Sequence, residues 1–155
     1  MTGRFSSRVI TDGRAIAPGR GEDMAKSVLI VDDCATTRRL VSLYLKREGY
    51  RPIQAENGLE ALEKLAYGPV DLIVTDMNMP QMDGVALTRA VKDSPTLGAI
   101  PVLMLTTEST ESERNHGISA GAAAFMTKPV TQERLAEEVR RLLTESRIQG
   151  GGNAC

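Results

Sequence analysis

The feature that most constrains the fold is a regular alternation of short apolar runs with longer amphipathic segments. The runs Val28-Leu29-Ile30-Val31 and Leu72-Ile73-Val74-Thr75 are apolar and β-branched almost throughout, which is typical of strands buried on both faces. The predicted strands cover residues 28–31, 52–55, 72–75, 100–105 and 123–126. Strands that alternate with helices predict an α/β fold, here a doubly wound five-stranded parallel sheet with five helices.

The amphipathic segments that follow the strands predict the helices. These helices are expected over residues 36–48, from 57, over 84–92, over 110–120 and from 131. Thr110 and Glu113 have the spacing of a capping box, which predicts the start of the fourth helix. The side chains predicted to face the sheet are Leu40, Leu43, Tyr44, Leu59, Leu62, Leu65, Leu87, Val91, Leu135, Val139, Leu142 and Leu143.

Composition divides the chain into one folded domain and two tails. Residues 1–25 contain four glycines and four arginines without a sustained period, and we predict that they are disordered. Residues 26–146 carry the strand and helix pattern and form the predicted domain, whereas the glycine-rich residues 147–155 are predicted to be a flexible tail. No apolar run approaches the roughly 20 residues that span a bilayer, so membrane insertion is not expected.

The net charge, the aromatic content and the cysteine spacing restrict the partners that the chain is expected to bind. The formal net charge is −1 at pH 7 and aromatic residues make up 3% of the chain, so neither a basic nor a base-stacking surface for nucleic acid is expected. The two cysteines, Cys34 and Cys155, lie far apart and outside metal-binding spacings. Free thiols of this kind are typical of a cytoplasmic protein.

Polar side chains follow four of the predicted strands. Asp32 and Asp33 follow the first strand, Asp76 the third, Thr106 the fourth and Lys128 the fifth. The carboxyl ends of parallel strands lie at one edge of the sheet, where such folds bind their ligands. Carboxylates that meet there repel one another unless a cation lies among them, and an all-oxygen donor set suits Mg²⁺. Lys128 and Thr106 are suited to contacting a phosphoryl group.

This pattern resembles the response-regulator receiver family, and within it the stand-alone chemotaxis (CheY-like) receivers. The resemblance covers about residues 26–146. The motifs that carry it are Val31-Asp32-Asp33, Thr75-Asp76-Met77-Asn78-Met79-Pro80, Met82-Asp83-Gly84, Thr106 and Lys128-Pro129. The resemblance implies the strand order 2-1-3-4-5 that this fold shares with flavodoxin.

The resemblance also implies a Mg²⁺-dependent phosphoryl transfer. Asp76 would be the phosphoacceptor, which attacks a phosphohistidine on a partner histidine kinase and becomes an aspartyl phosphate. Lys128 and Thr106 would contact the phosphoryl group, and Pro129 would follow Lys128 through a cis peptide bond. The implied Mg²⁺ ligands are Asp32, Asp33, Asp76 and the backbone carbonyl of Asn78.

The same resemblance implies how the signal would leave the site. Thr106 and Phe125 would form the switch, whereas Asn78, Thr107 and Glu108 would set the lifetime of the phosphate. The chain would catalyse its own phosphorylation and dephosphorylation, but would act mainly as a signalling switch. Besides the kinase, the expected partner is a flagellar motor component or a phosphotransfer protein on the face of the fourth helix, fifth strand and fifth helix, with a phosphatase as a further candidate.

Chemotaxis is the function that Asn78 and Glu108 favour. Two alternative functions are a phosphorelay intermediate and a receiver scaffold that binds its partner without phosphorylation. An aspartate-based phosphohydrolase is not favoured, because its chemistry requires a second acid at the position of Asn78. A flavin-type cofactor binder is not favoured either, because Asp33-Cys34-Ala35-Thr36 follows the first strand where a glycine-rich loop would be needed.

Overall fold

A computed structural model describes residues 25–107 and 110–154, in which strands and helices alternate. The strands are β1 (Ser27–Val31), β2 (Arg51–Ala55), β3 (Leu72–Asp76), β4 (Val102–Thr106) and β5 (Ala124–Thr127). The helices are α1 (Ala35–Arg47), α2 (Gly58–Tyr67), α3 (Gly84–Asp93), α4 (Glu111–Ala120) and α5 (Gln132–Ala154). All neighbouring strands are parallel, in the order β2-β1-β3-β4-β5. The predicted α/β fold and strand order are confirmed.

The sheet has a hydrophobic core on each face. Val28 and Ile30 of β1 pack on one face with side chains of α1 and α5, whereas Leu29 and Val31 pack on the other with side chains of α2 and α3. The alternation follows from the strand geometry, in which successive side chains point to opposite faces. Each fully buried aliphatic side chain of this size contributes about 1.5–3 kcal/mol. Burial on both faces explains why the strand sequences are continuously apolar.

The inward faces of α1 and α2 differ from the prediction. Leu40 and Leu43 are 41% and 44% exposed, and Leu59 in α2 is 53% exposed. Apolar residues lie on more than one stripe of α1, and the i, i+4 pair Val41 and Leu45 is the one that faces the sheet. The predicted inward residues of the later helices are buried, namely Leu87, Val91, Leu135, Val139, Leu142 and Leu143.

Side-chain caps start the helices that follow the strands. Asn57 Oδ1 and Asp83 Oδ1 each accept a backbone N–H of the following helix at 2.8 Å, at the starts of α2 and α3. Thr110 Oγ1 accepts the N–H of Glu113 at 3.1 Å, and the Glu113 carboxylate accepts the N–H of Thr110 at 3.5 Å. The predicted capping box is therefore confirmed. Caps of this kind stabilise a helix by about 1 kcal/mol each.

The structure describes the two predicted tails to different extents. The disorder predicted for residues 1–25 falls almost entirely outside the described residues. Helix α5 continues to Ala154, so residues 147–154 are helical, and the flexibility predicted for residues 147–155 stays a prediction. An existing helix adds each residue with one further hydrogen bond, which offsets the cost of about 1 kcal/mol for glycine relative to alanine. Among the described residues, no helix is both long and apolar enough to cross a membrane.

Candidate functional site

The carboxyl ends of four strands bring the predicted site residues to one edge of the sheet. Asp32 follows β1 directly, Asp76 is the last residue of β3, Thr106 is the last residue of β4, and Lys128 follows β5. Parallel pairing keeps these strand ends level. Asp32 and Lys128 are therefore in contact although they are 96 residues apart in the sequence.

Three carboxylates form a cluster at this edge. Asp32, Asp33 and Asp76 each offer a carboxylate oxygen, and these oxygens all lie within 4.8 Å of one another. Asp32 and Asp76 are only 2% and 8% exposed, whereas Asp33 is exposed to solvent. Buried carboxylates so close together repel one another and require positive charge nearby. The donor set, which consists of carboxylate oxygens alone, is of the kind that holds a hard divalent cation.

Lys128 supplies positive charge from the protein itself. Its Nζ lies 2.9 Å from Asp32 Oδ2 and 3.4 Å from Asp76 Oδ1, so one ammonium group bridges the two buried carboxylates. Burial acts to lower the pKa of Lys128, but the hydrogen bond and charge of Asp32, together with those of Asp76, raise this pKa above its ordinary value. The side chain is therefore held as a cation at neutral pH.

The surroundings of the Asp76 carboxyl group make its ionisation less favourable than in water. Burial raises its pKa above the ordinary value, and the negative charge of Asp32 adds to that increase. The charge of Lys128 and hydrogen bonds from Lys128 and the backbone of Asn78 act in the opposite direction. Further positive charge at this edge would favour the ionised, nucleophilic form of Asp76.

The ends of β4 and β5 complete the edge. Thr106 is buried, and its carbonyl oxygen accepts the backbone N–H of Lys128 at 2.8 Å. The peptide bond between Lys128 and Pro129 is cis, as predicted. Thr107 is exposed, and Glu108 lies outside the described residues, so their parts in setting a phosphate lifetime stay predictions.

The loop between β3 and α3 folds back onto the end of β3. Asn78 is exposed at its start, and Gly84 N–H donates to the Met77 carbonyl oxygen at 2.9 Å where α3 begins. A methyl group on Gly84 would overlap the carbonyl oxygen of Asp76 and lie 3.0 Å from Met77 Cα. The absence of a side chain at position 84 is thus required for the loop to close beside Asp76.

Arg38 was not among the predicted site residues, but the structure places it beside Asp32. Arg38 Nη1 donates to the Asp32 carbonyl oxygen at 2.6 Å, and its Nε donates to Gln54 Oε1 at 3.2 Å. The sequence pattern is consistent with a solvated charge on α1 or with a contact to an acidic partner. A bond from a side chain to a backbone carbonyl has no signature in the sequence, and this is why the contact was missed.

Phe125, the predicted switch aromatic, packs between β4 and α4. A side chain on Gly117 of α4 would overlap the ring, because a methyl group there would lie 2.8 Å from Phe125 Cε2 and 3.1 Å from Met104 Sδ. The guanidinium of Arg114 lies over the ring, 6.0 Å from its centroid. The ring is therefore partly buried against the helix at a position that only glycine leaves open.

Comparison with known proteins agrees with this arrangement. Residues 28–140 match the family described as the response regulator receiver domain. The chemotaxis protein CheY1 of Helicobacter pylori (strain ATCC 700392 / 26695) is 37% identical over 118 residues, which cover 75% of this chain and 95% of that protein. The transcriptional regulatory protein ResD of Bacillus subtilis (strain 168) is 38% identical over 116 residues, which cover 75% of this chain and 47% of that protein.

A solved structure has the same fold. The signal receiver domain of a signal transduction histidine kinase from Syntrophus aciditrophicus superposes with a TM-score of 0.73 and 39% sequence identity. The match covers 78% of this chain and 92% of that one. These three proteins have nearly equal sequence identity to this chain, but their names describe a chemotaxis protein, a transcriptional regulator and a histidine kinase. Sequence similarity alone therefore does not choose among these roles.

Proposed function

This chain belongs to the response-regulator receiver domain family, and from this premise we propose that it accepts a phosphoryl group from a histidine kinase onto Asp76. The observation that carries the proposal is the position of Asp76. Its buried carboxylate lies 3.4 Å from Lys128 Nζ and belongs to the cluster with Asp32 and Asp33. The site thus combines a nucleophile, a cationic side chain and an acidic set for a metal ion, all at one edge of the sheet.

Mg²⁺ is the cation that this proposal assigns to the cluster. Asp32, Asp33, Asp76 and the backbone carbonyl of Asn78 would hold it, and the remaining positions would be open to water and a phosphoryl oxygen. Bound there, it would offset the repulsion between the carboxylates and the incoming phosphoryl oxygens. The exposed carboxylate of Asp33 is the member of the cluster that faces solvent.

In the proposed transfer, a carboxylate oxygen of Asp76 bonds to phosphorus while the bond from phosphorus to the kinase imidazole nitrogen breaks. The electron pair of the breaking bond stays on that nitrogen, and three oxygens move with the phosphorus. Lys128 remains protonated and holds a phosphoryl oxygen, because Asp32 and Asp76 raise its pKa. Attack by water later returns the carboxylate and releases inorganic phosphate, at a rate for which Asn78, Thr107 and Glu108 are the proposed determinants.

The proposed output begins at Thr106. Its hydroxyl would donate to the phosphoryl oxygen, and Phe125 on the neighbouring strand would respond to that movement. Thr106 and Thr127 are register partners in β4 and β5, so Phe125 is two residues from the strand position beside Thr106. The face formed by α4, β5 and α5 is the proposed surface for the downstream partner.

Chemotaxis is the proposed pathway, with a flagellar motor component as the downstream partner. Support comes from CheY1, because the match spans 95% of that chemotaxis protein. The alternative of a phosphorelay, with transfer onward to a phosphotransfer protein, has support from the kinase-borne receiver of similar identity. A cytoplasmic location and a phosphatase partner belong to the same proposal.

The direct test is incorporation of phosphate from a small radiolabelled phosphodonor in the presence of Mg²⁺. Wild type should incorporate label, whereas Asp76→Asn and a chelated wild-type sample should not. Equal labelling of Asp76→Asn and wild type would contradict the proposed acceptor.

A second measurement addresses the scaffold that works without phosphorylation. A beryllofluoride mimic added with Mg²⁺ should shift the nuclear magnetic resonance signals of Phe125 and of the α4 backbone. A protein that takes up phosphate but shows no change on this face would instead support the phosphorylation-independent alternative.

A further inference from the structure

Three oxygen atoms of Asp32 accept hydrogen bonds from different parts of the chain. Lys128 Nζ donates to Oδ2 at 2.9 Å, and the N–H of Cys34 donates to Oδ1 at 2.8 Å. The third point is the backbone, where Arg38 Nη1 donates to the carbonyl oxygen at 2.6 Å. The first two contacts hold the carboxylate of Asp32 itself, whereas the third holds the peptide that leads to the next residue.

That peptide controls the position of Asp33. The carbonyl of Asp32 and the N–H and Cα of Asp33 belong to one planar unit, so a bond that fixes the carbonyl also fixes the direction in which Asp33 leaves the strand. Asp33 is exposed, and its carboxylate makes no hydrogen bond or ion pair with other residues in the described part of the chain. Its place in the acidic cluster therefore depends on the backbone.

Arg38 is well placed to hold this peptide rigidly. It lies in the first turn of α1, where its own N–H donates to the Cys34 carbonyl oxygen at 3.0 Å. Its Nε donates to Gln54 Oε1 at 3.2 Å, and Gln54 is the register partner of Ile30 in the strand pair β1–β2. The backbone and side chain of Arg38 thus link the turn after β1 to both α1 and β2.

The form of the contact is also suited to a metal site. The guanidinium donates to a carbonyl and an amide oxygen, so it leaves the carboxylate oxygens of Asp33 available. Two donors in a fixed plane are a property of arginine that a lysine ammonium does not reproduce. We propose that Arg38 is a positioning residue, which orients the Asp32–Asp33 peptide so that Asp33 is preorganised to bind the divalent cation. This inference rests on the proposed function.

The test compares Arg38→Met, Arg38→Lys and the control Arg39→Met. Methionine keeps most of the apolar stem without donors, and lysine keeps the charge without the two planar donors. Arg39 is the exposed neighbour on the same helix, and its side chain makes no hydrogen bond or ion pair with another described residue. Mg²⁺ affinity is measured by calorimetric titration without a phosphodonor, and thermal unfolding is measured in a chelator.

Arg38→Met should weaken Mg²⁺ binding roughly tenfold, as removal of a residue that orients a metal ligand commonly does. Arg38→Lys should also weaken it clearly, and Arg39→Met should match wild type. Arg38→Met with wild-type affinity would overturn the inference, and so would Arg38→Lys with wild-type affinity, because charge alone would then be sufficient.

Should Arg38→Met not fold, Gln54→Ala replaces it, because this change on the exposed side of β2 removes the anchor of the guanidinium. Unchanged Mg²⁺ affinity in Gln54→Ala would then overturn the inference, and weakened affinity would support it.

The inference and the proposed function fail in different ways. Wild type that binds no Mg²⁺ and takes up no phosphate would contradict the proposed function and, with it, the role of Arg38. Wild type that does both, with Arg38 variants of unchanged affinity, would contradict the role of Arg38 alone.

Discussion

The ring of Phe125 occupies the space that a side chain on Gly117 would fill. A methyl group at position 117 would overlap Phe125 Cζ and lie 3.1 Å from Met104 Sδ. The aromatic residue of β5 and the glycine of α4 therefore form one packing unit. The inward position of the ring depends on an absent side chain in a different element.

Gly117→Ala should destabilise the protein and displace the ring. Alanine in a helix ordinarily gains about 1 kcal/mol over glycine, but overpacking here should produce a net loss of about 1–3 kcal/mol. Urea unfolding measures the loss, with Ser119→Ala on the exposed side of α4 as the control. Fluorinated phenylalanine reports the ring directly, because the chain contains only Phe5 and Phe125, and Phe5→Leu assigns the signals. An unchanged ring signal in a stabilised Gly117→Ala variant would contradict this account.

Gly84→Ala should displace the backbone of Asp76 and so disturb the acidic cluster. The added methyl group would meet backbone atoms, namely the carbonyl of Asp76 and the Cα of Met77, which cannot move aside as a flexible side chain can. We expect the unfolding free energy to fall by about 1–3 kcal/mol and phosphate incorporation to be reduced. Gly68→Ala is the matched control, because nothing lies within 4 Å of a methyl group there. Equal stability of the two variants would show that the loop does not require glycine at position 84.

Lys128→Met should leave two buried carboxylates without their shared cation. Removing one member of a buried charged set commonly costs about 3–5 kcal/mol, and the loss should be largest in a chelator. Added Mg²⁺ should restore part of the stability, since it supplies positive charge to the same carboxylates. Lys64→Met removes an exposed pair with Glu60 and should cost no more than about 1 kcal/mol. A Lys128→Met protein as stable as Lys64→Met in a chelator would argue against the bridging role.

Stability should depend on pH through Asp76 in a defined direction. Burial raises the pKa of Asp76 in the folded protein above its ordinary value of 3.8. A group of this kind stabilises the fold below its unfolded pKa, and that contribution is lost as the pH rises through the folded pKa. Without metal, the unfolding free energy of wild type relative to Asp76→Asn should therefore fall as the pH rises from below 3.8. Urea titrations at a series of pH values measure the unfolding free energy of both proteins. A wild type whose stability rises relative to that of Asp76→Asn as the pH rises would contradict this prediction.

The strand ends could be predicted because buried parallel strands have a distinctive sequence. Continuous apolar runs located β1 and β3, and the residues directly after them, Asp32 and Asp76, then had to lie at one edge. The faces of α1 were less predictable, because apolar residues occupy more than one stripe of the helix. Leu40 was assigned to the core on that basis, although it is exposed.

Contacts between distant elements account for what the sequence could not predict. Arg38 donates to the backbone carbonyl of Asp32, and Gly117 leaves room for the ring of Phe125 on β5. Neither contact changes the local period or the composition. The last residue of α5 could not be predicted for a different reason, since this helix continues through a run of glycines, which ordinarily predicts the end of a helix.

We propose that Asp76, and not another carboxylate of the cluster, carries the phosphoryl group. Borohydride reduction of the phosphorylated protein converts an aspartyl phosphate into homoserine, and peptide mass spectrometry then locates the modified residue. We expect homoserine at Asp76 alone in a sample prepared with Mg²⁺ and a phosphodonor, and none in a chelated sample. Homoserine at Asp32 or Asp33, or label without homoserine at Asp76, would contradict it.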